Sequence, residues 1–253
     1  MSSESISVIV PVHNGADFYD SALDSVLLQD WPRLEIILVD DGSTDALAER
    51  IRERGYPVRC LRQEQQGPAA ARNLGLRQAC SELIAFLDID DLWTEGHLHR
   101  LSAALRENPE AGIAQGLMRQ FVLLPDGGRM LSGAYRMPYL GSCLFRRSVF
   151  EQCGTFDEKM KMGEDYDLMF RCWENDIAKL YVNQVSFLYR RHPGNMTRGK
   201  NRQANLEVLQ RRMQRIRSGA INPDLPRHFP FDTYMGDIRN FSDSEFVEQA
   251  SLT

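Results

Sequence analysis

Three carboxylates follow a strand-like apolar run in Phe86-Leu87-Asp88-Ile89-Asp90-Asp91. Apolar residues from Leu83 to Leu87 suit both faces of a central parallel strand, whose carboxyl end is where open α/β sheets present ligand-binding groups. Carboxylates are hard oxygen donors. An Asp-x-Asp pair therefore suits one Mg²⁺ or Mn²⁺ ion whose shell is completed by water and substrate phosphate. The same residues also suit an acidic turn that caps a following helix, so the surroundings decide between the two readings. Two further acidic pairs stand beside structural elements: Asp40-Asp41 after the run Glu35 to Val39, and Glu164-Asp165 ahead of a helical pattern.

The elements that position these groups alternate. Ile6 to Val12 is an apolar run closed by His13-Asn14-Gly15, and Phe18, Ala22, Leu23, Val26 and Leu27 recur at helical spacing before Trp31-Pro32. With the strand before Asp40 this predicts a βαβ unit. Ser43-Thr44-Asp45 is placed to cap a second helix, Val58 to Leu61 supply a third strand, and Pro68 opens a third helix after Gly67. The alternation to about residue 100 implies a doubly wound, mostly parallel sheet with Asp40, Asp41 and Asp88 to Asp91 on one edge. Beyond it, Ile113 to Leu124, Met137 to Arg146 and Lys179 to Tyr189 read as strands of a mixed sheet, and Gly154 as a helix terminator. A helix after Gly163 buries Leu168, Met169, Cys172 and Trp173 and carries Glu164 and Asp165 at its positive end.

With 253 residues, 43% of them hydrophobic, the chain can bury a sizeable core. The net charge of −5 argues against a general nucleic-acid binder. Five scattered cysteines without C-x-x-C spacing suggest neither a zinc site nor a disulfide framework. With no apolar run long enough to span a bilayer and no signal-like start, the expected location is cytoplasmic.

In order, Val8-Ile9-Val10-Pro11-Val12-His13-Asn14, Val39-Asp40-Asp41-Gly42-Ser43-Thr44-Asp45, Gly67-Pro68-Ala69-Ala70-Ala71-Arg72-Asn73, Phe86 to Asp91 and Gly163-Glu164-Asp165 resemble the nucleotide-sugar-dependent glycosyltransferases of family 2. The resemblance covers roughly residues 5–197 and implies a GT-A fold. In that division, 1–100 is a Rossmann-like nucleotide-binding half, 101–197 an acceptor half, and 198–253 a basic amphipathic helix with an irregular tail. It further implies that Pro11, Val12 and Asp40 line the base and ribose pocket, that Arg72 contacts the nucleotide, and that Asp88 reaches the ribose or a metal-bound water. Asp90 would hold Mn²⁺ or Mg²⁺ with His192 near it, and Asp165 would be the base of an inverting transfer. Glu164, Asp41 and Arg191 would support the site, and Arg190 and Arg191 are placed to neutralise phosphate. Asp91 is expected to cap the next helix, and His97 and His99 to face solvent without a role.

The implied reaction moves a sugar, most simply from a UDP-sugar, to a glycan, lipid-linked or protein acceptor, in cell-surface polysaccharide or glycoconjugate synthesis. Two alternatives compete with this reading. A sugar-nucleotide binder without catalysis would keep the fold alone. A haloacid-dehalogenase-type phosphatase would want its aspartates on the first strand, which here ends Pro11-Val12-His13-Asn14. The segment Arg198 to Arg217 holds seven Lys or Arg against Glu207. It reads as a helix packed on the domain through Leu206, Leu209, Met213 and Ile216, with association at the inner membrane face or a homodimer as other uses.

Overall fold

The computed structural model describes residues 4–160, 162–195, 201–221, 228–236 and 246–250. Strand β1 (Ile6–Val12), helix α1 (Ala16–Leu27), β2 (Leu34–Asp41), α2 (Leu47–Arg54), β3 (Arg59–Gln63), α3 (Pro68–Gln78) and β4 (Leu83–Phe86) realise the expected alternation. The four strands run parallel in the order β4-β1-β2-β3. The chain thus reverses its direction of travel across the sheet between β1 and β4, and such a switch point opens a crevice at the strands' carboxyl ends. Register aligns those ends: Val12 pairs with Asp40 and Asp41 with Gln63, and the Leu87 N–H donates to Ile9 O at 3.1 Å. Asp88 therefore leaves the sheet at the same edge as Asp40, with the end of β1 between them.

Both faces of this half are covered, which explains why the strands read as continuous apolar runs. Ile6, Val8 and Val10 pack with Leu23 and Val26 of α1 and with Leu98 and Leu101 of α4 (His97–Glu107). Ile9, Ile37 and Phe86 face the opposite layer, with Leu76 of α3 and Leu168 of α6 (Glu164–Glu174). Helix α3 lies so close to β1 that a Cβ at Gly75 would come within 2.4 Å of Ile9 Cγ2.

The second half continues the sheet with β5 (Leu92–Trp93), β6 (Ile113–Leu123), β7 (Arg129–Ser132), β8 (Cys143–Arg146) and β9 (Lys179–Arg190). β8 joins the halves by pairing antiparallel with β4 and β6, and β9 lies parallel to β6. The expected strand from Met137 is shorter than its pattern. Only Cys143–Arg146 is extended, because Leu140–Ser142 forms a 3-10 turn whose Ser142 hydroxyl donates to Tyr139 O at 2.7 Å. The turn at residues 125–128 closes a β6–β7 hairpin instead, with Leu124 N–H donating to Gly128 O at 2.8 Å. Helix α5 (Arg147–Cys153) ends at Gly154, whose φ of +75° suits a residue without a Cβ.

Helix α7 (Asn201–Arg217) forms, but the face expected to pack is turned outward. Leu206, Leu209 and Met213 are exposed and only Val208 is fully buried among its described apolar side chains. What faces the domain is arginine: Arg211 pairs with Asp157, Arg215 with Asp167 at 2.8 Å and Glu174 at 2.8 Å, and Arg212 with Glu174 at 3.3 Å. Arg198 and Lys200 lie outside the described residues.

Nor is the segment beyond it irregular where it is described. Helix α8 (Phe231–Met235) buries Tyr234 and Met235 in the core, and β10 (Phe246–Ala250) pairs antiparallel with β7. Buried Lys179 donates to Tyr234 O and, at 3.1 Å, to Gln115 Oε1, and Trp173 Nε1 donates to Phe229 O at 2.9 Å. Elements of five residues show too little periodicity to be seen in sequence. Asn222, Pro223 and Pro226 lie outside the described residues.

If this docking is part of the folded domain, Tyr234→Ala lowers the unfolding free energy by about 3 kcal/mol in urea melts. Tyr234→Phe changes it little, since the Tyr234 hydroxyl has no hydrogen-bond partner among the described residues. An undocked tail would leave both variants at the parent midpoint.

Candidate active site

The loops after β1 and β2 cap each other. Asn14, at φ +54°, accepts the Thr44 N–H at 2.8 Å on its Oδ1, while Ser43 Oγ accepts the Asn14 N–H at 2.9 Å. Asp45 Oδ2 accepts the Ala16 N–H at 2.9 Å at the start of α1, and its Oδ1 the Leu47 N–H at 3.2 Å at the start of α2. Asp40 is buried beside buried Pro11 and Val12; its Oδ1 takes the Ser43 N–H at 2.8 Å and its Oδ2 pairs with Arg62. Asp41 points instead into the loop that opens α3. It accepts N–H groups from Gln66 and Gly67, each at 2.8 Å, and the Gln63 amide at 2.7 Å. Its carboxylate fixes that loop.

Arg72 departs most from a helix-surface arginine. It is buried on α3, donates from Nη1 to Glu164 Oε1 at 2.6 Å and from Nη2 to Asp88 Oδ1 at 2.7 Å, and lies over the Phe156 ring. One guanidinium thus joins the strand end that carries the aspartates to the first turn of α6. Asp165 follows Glu164 there, half-buried, accepting the Tyr166 N–H at 2.8 Å. Burial first, then the neighbouring Glu164, push the Asp165 carboxyl up to about 7, against the pull of Arg72. A carboxyl poised there can exchange a proton near neutrality.

Asp90 and His192 meet, with His192 Nε2 3.0 Å from Asp90 Oδ2. Burial and the nearby Asp88 raise the Asp90 carboxyl, and His192 opposes them. Asn195 builds this contact: its Oδ1 accepts the His192 N–H at 2.7 Å, and its amide donates to Arg190 O at 3.0 Å. Sequence reasoning passed over Asn195; its place in the Pro193-Gly194-Asn195 turn was the available signal.

Three expectations change. Asp91 does not cap α4, which starts six residues later; it is buried and accepts the Arg190 N–H at 2.8 Å, its carboxyl pushed well up by burial and then by Asp90 and Asp88. Arg190 is not poised over a phosphate. Its Nε donates to Asp90 O at 2.6 Å and its Nη2 to Ser21 Oγ at 3.0 Å, with the rings of Phe18 and Phe121 on it. Arg191 is half-buried and donates to Gln120 Oε1 at 2.9 Å. His97 is fully buried and stacked on Trp93, ring centroids 4.3 Å apart, whereas His99 is exposed as expected.

The model of the family described as "Glycosyl transferase family 2" matches residues 7–132. Glycosyltransferase EpsJ of Bacillus subtilis is 27% identical over 232 residues, covering 83% of this chain and 67% of its own length. Two solved structures share the fold. Staphylococcus aureus TarS 1-349 in complex with UDP-GlcNAc superposes with a TM-score of 0.65 at 20% identity, over 77% of this chain and 61% of that one. Mannosyltransferase PcManGT from Pyrobaculum calidifontis, in complex with GDP-Man and Mn²⁺, gives 0.67 at 22% identity, over 88% and 67%. The chain thus spans 61% of the length of the TarS fragment it matches.

Removing the guanidinium that joins the two acidic edges leaves Glu164 buried without its partner. Arg72→Gln is expected to cost about 3 kcal/mol of unfolding free energy, read from urea melts. A loss below roughly 0.5 kcal/mol, the usual range for an exposed arginine, would contradict the buried bridge.

Proposed function

Since the chain belongs to glycosyl transferase family 2, we propose that it transfers a sugar from a nucleoside diphosphate sugar to an acceptor hydroxyl, inverting the anomeric carbon. The observation that carries this reading is the Arg72 bridge, which ties the donor-side Asp88 to the helix start that holds Asp165. Pro11, Val12 and Asp40 line the base and ribose side. Both Asp40 oxygens have partners, yet a carboxylate has about four acceptor sites, leaving room for a base N–H or a ribose hydroxyl.

Asp90 and His192 are the residues that would hold Mn²⁺ or Mg²⁺. A carboxylate and an imidazole in contact suit such an ion, and two protein donors leave its other positions to diphosphate oxygens and water. When bound, the ion offsets the charge that gathers on the departing diphosphate. Asp165 takes the proton of the acceptor hydroxyl as that oxygen attacks the anomeric carbon from the face opposite the diphosphate. The bond from that carbon to the diphosphate oxygen breaks, and its electron pair stays on the oxygen. Arg72 and Glu164 position the helix start from which Asp165 acts. Uridine is proposed as the base, a glycan, lipid-linked or protein hydroxyl as the acceptor, and cell-surface polysaccharide or glycoconjugate synthesis as the setting.

Thermal melting against UDP and GDP, each with Mn²⁺ or with EDTA, tests the donor site. At 100 times its dissociation constant the correct nucleotide adds about 2.7 kcal/mol, roughly 5 to 10 °C in midpoint for this size. EDTA and Asp90→Asn should each remove the metal-dependent part. No shift with either nucleotide would sink the donor assignment.

Asp165→Asn should lower turnover by about 10³-fold with nucleotide binding unchanged. Because the base works only when deprotonated, and its carboxyl lies near 7, kcat/KM should fall below about pH 7 and level off above it. Arg72→Gln moves that limb to higher pH by removing a positive neighbour. A profile flat from pH 5.5 to 8 would remove Asp165 from the role.

A further inference from the structure

We propose that α7 is a dimerisation helix, and that its outward stripe Leu206, Leu209, Met213 and Ile216 packs antiparallel against the same stripe of a second copy. Leu206, Leu209 and Met213 are each 45% exposed or more, and Ile216 is half-buried. Among the described residues the other large exposed hydrophobics, Leu28 just past α1 and Leu123 at the end of β6, stand apart from α7. The stripe is outward because the opposite face is committed to the domain: Val208 is buried, and Arg211, Arg212 and Arg215 are held by Asp157, Asp167 and Glu174. Rotating the helix to bury the stripe would expose Val208 and break those pairs, so the domain's own ion pairs keep four apolar side chains facing out.

Spacing identifies the occupant. The four residues follow one another at intervals of three, four and three, which on an α-helix confines them to about 80° of its surface and about 15 Å of its length. That is the narrow a/d seam of a helix pair, not the broad apolar face of a helix lying in a membrane surface. The interval pattern also reads the same in both directions. A two-fold axis near residue 211 therefore sets Leu206 on the second copy's Ile216, and Leu209 on its Met213, which is the self-complementarity an isologous interface requires. Beside that axis the seam is flanked by uncharged Gln210 on one side. On the other is Arg212, drawn inward by Glu174 and lying over the Trp173 ring. A seam this short belongs to the small, reversible class of interfaces.

Sedimentation equilibrium of the full chain from about 1 to 200 µM brackets the roughly 10 µM dissociation constant of such an interface. The expected mass rises from 29.0 kDa towards twice that value. Leu209→Glu with Met213→Glu should hold the chain at the monomer mass while the thermal midpoint stays within about 2 °C, both positions being exposed. To read the orientation, exposed Cys60 and Cys80 are replaced by Ser. Chains carrying Leu206→Cys and chains carrying Ile216→Cys should then cross-link when mixed and not when separate. A wild-type chain that stays monomeric overturns the proposal, as does a mass doubling that survives the double substitution. Two other results also overturn it. Monomeric wild-type chain that binds phosphatidylserine vesicles through this stripe would assign the face to a membrane. A midpoint falling by more than about 5 °C in the double variant, with wild type monomeric, would assign it to the chain's own segments.

Discussion

Arg72 carries a charge that it cannot release, at a place where little water reaches it, so the groups that answer it are held in turn. Asp88 and Glu164, distant in the chain, become neighbours because both need that guanidinium. The balance at this edge is nonetheless negative: Asp88, Asp90, Asp91, Glu164 and Asp165 face Arg72 and Arg190. The consequence is visible in the raised carboxyls of Asp90, Asp91 and Asp165, each driven first by burial and then by another acid. An added cation relieves this surplus. The protein thus gives up stability at this edge, which the proposed metal and diphosphate would complete.

The sheet makes this crowding possible. Parallel strands in register deliver Val12, Asp40 and Asp88 to one edge, and β8, running antiparallel between β4 and β6, carries the chain into the second half without leaving the sheet. Close packing enforces the positions. Gly15 leaves no room for a side chain against Ile89 and Val12, each 2.7 Å from where a Cβ would stand. The first loop therefore presses on the aspartate turn itself.

The first half was legible because its strands are apolar on both faces and its turns carry Gly, Pro, Ser and Asp at helix starts, signals that need no distant partner. Asp90 and His192 were picked out and do meet. Where sequence failed, partners remote in the chain decided the outcome. Asp91 looks like a cap until the Arg190 N–H comes to it, and His97 looks exposed until Trp93 stacks on it. The orientation of α7 differs for the same reason: apolar spacing predicts an inward face, but Arg212 and Arg215 meet buried Glu174 and Asp167 on α6, Arg211 meets Asp157, and charge decides which face turns inward. Helix α8 and strand β10 were too short to show a period.

The mutual capping of the first two βα loops has a dynamic consequence. Asn14 closes the loop after β2, Ser43 and Asp45 close the loop after β1, and neither side chain set can let go without stranding amides on the other. Opening either loop therefore frees amides of the other, which couples their motions. In hydrogen exchange the amides of Asn14, Ala16 and Thr44 would then show similar protection, so this wall of the crevice opens as one unit rather than as two flickering loops.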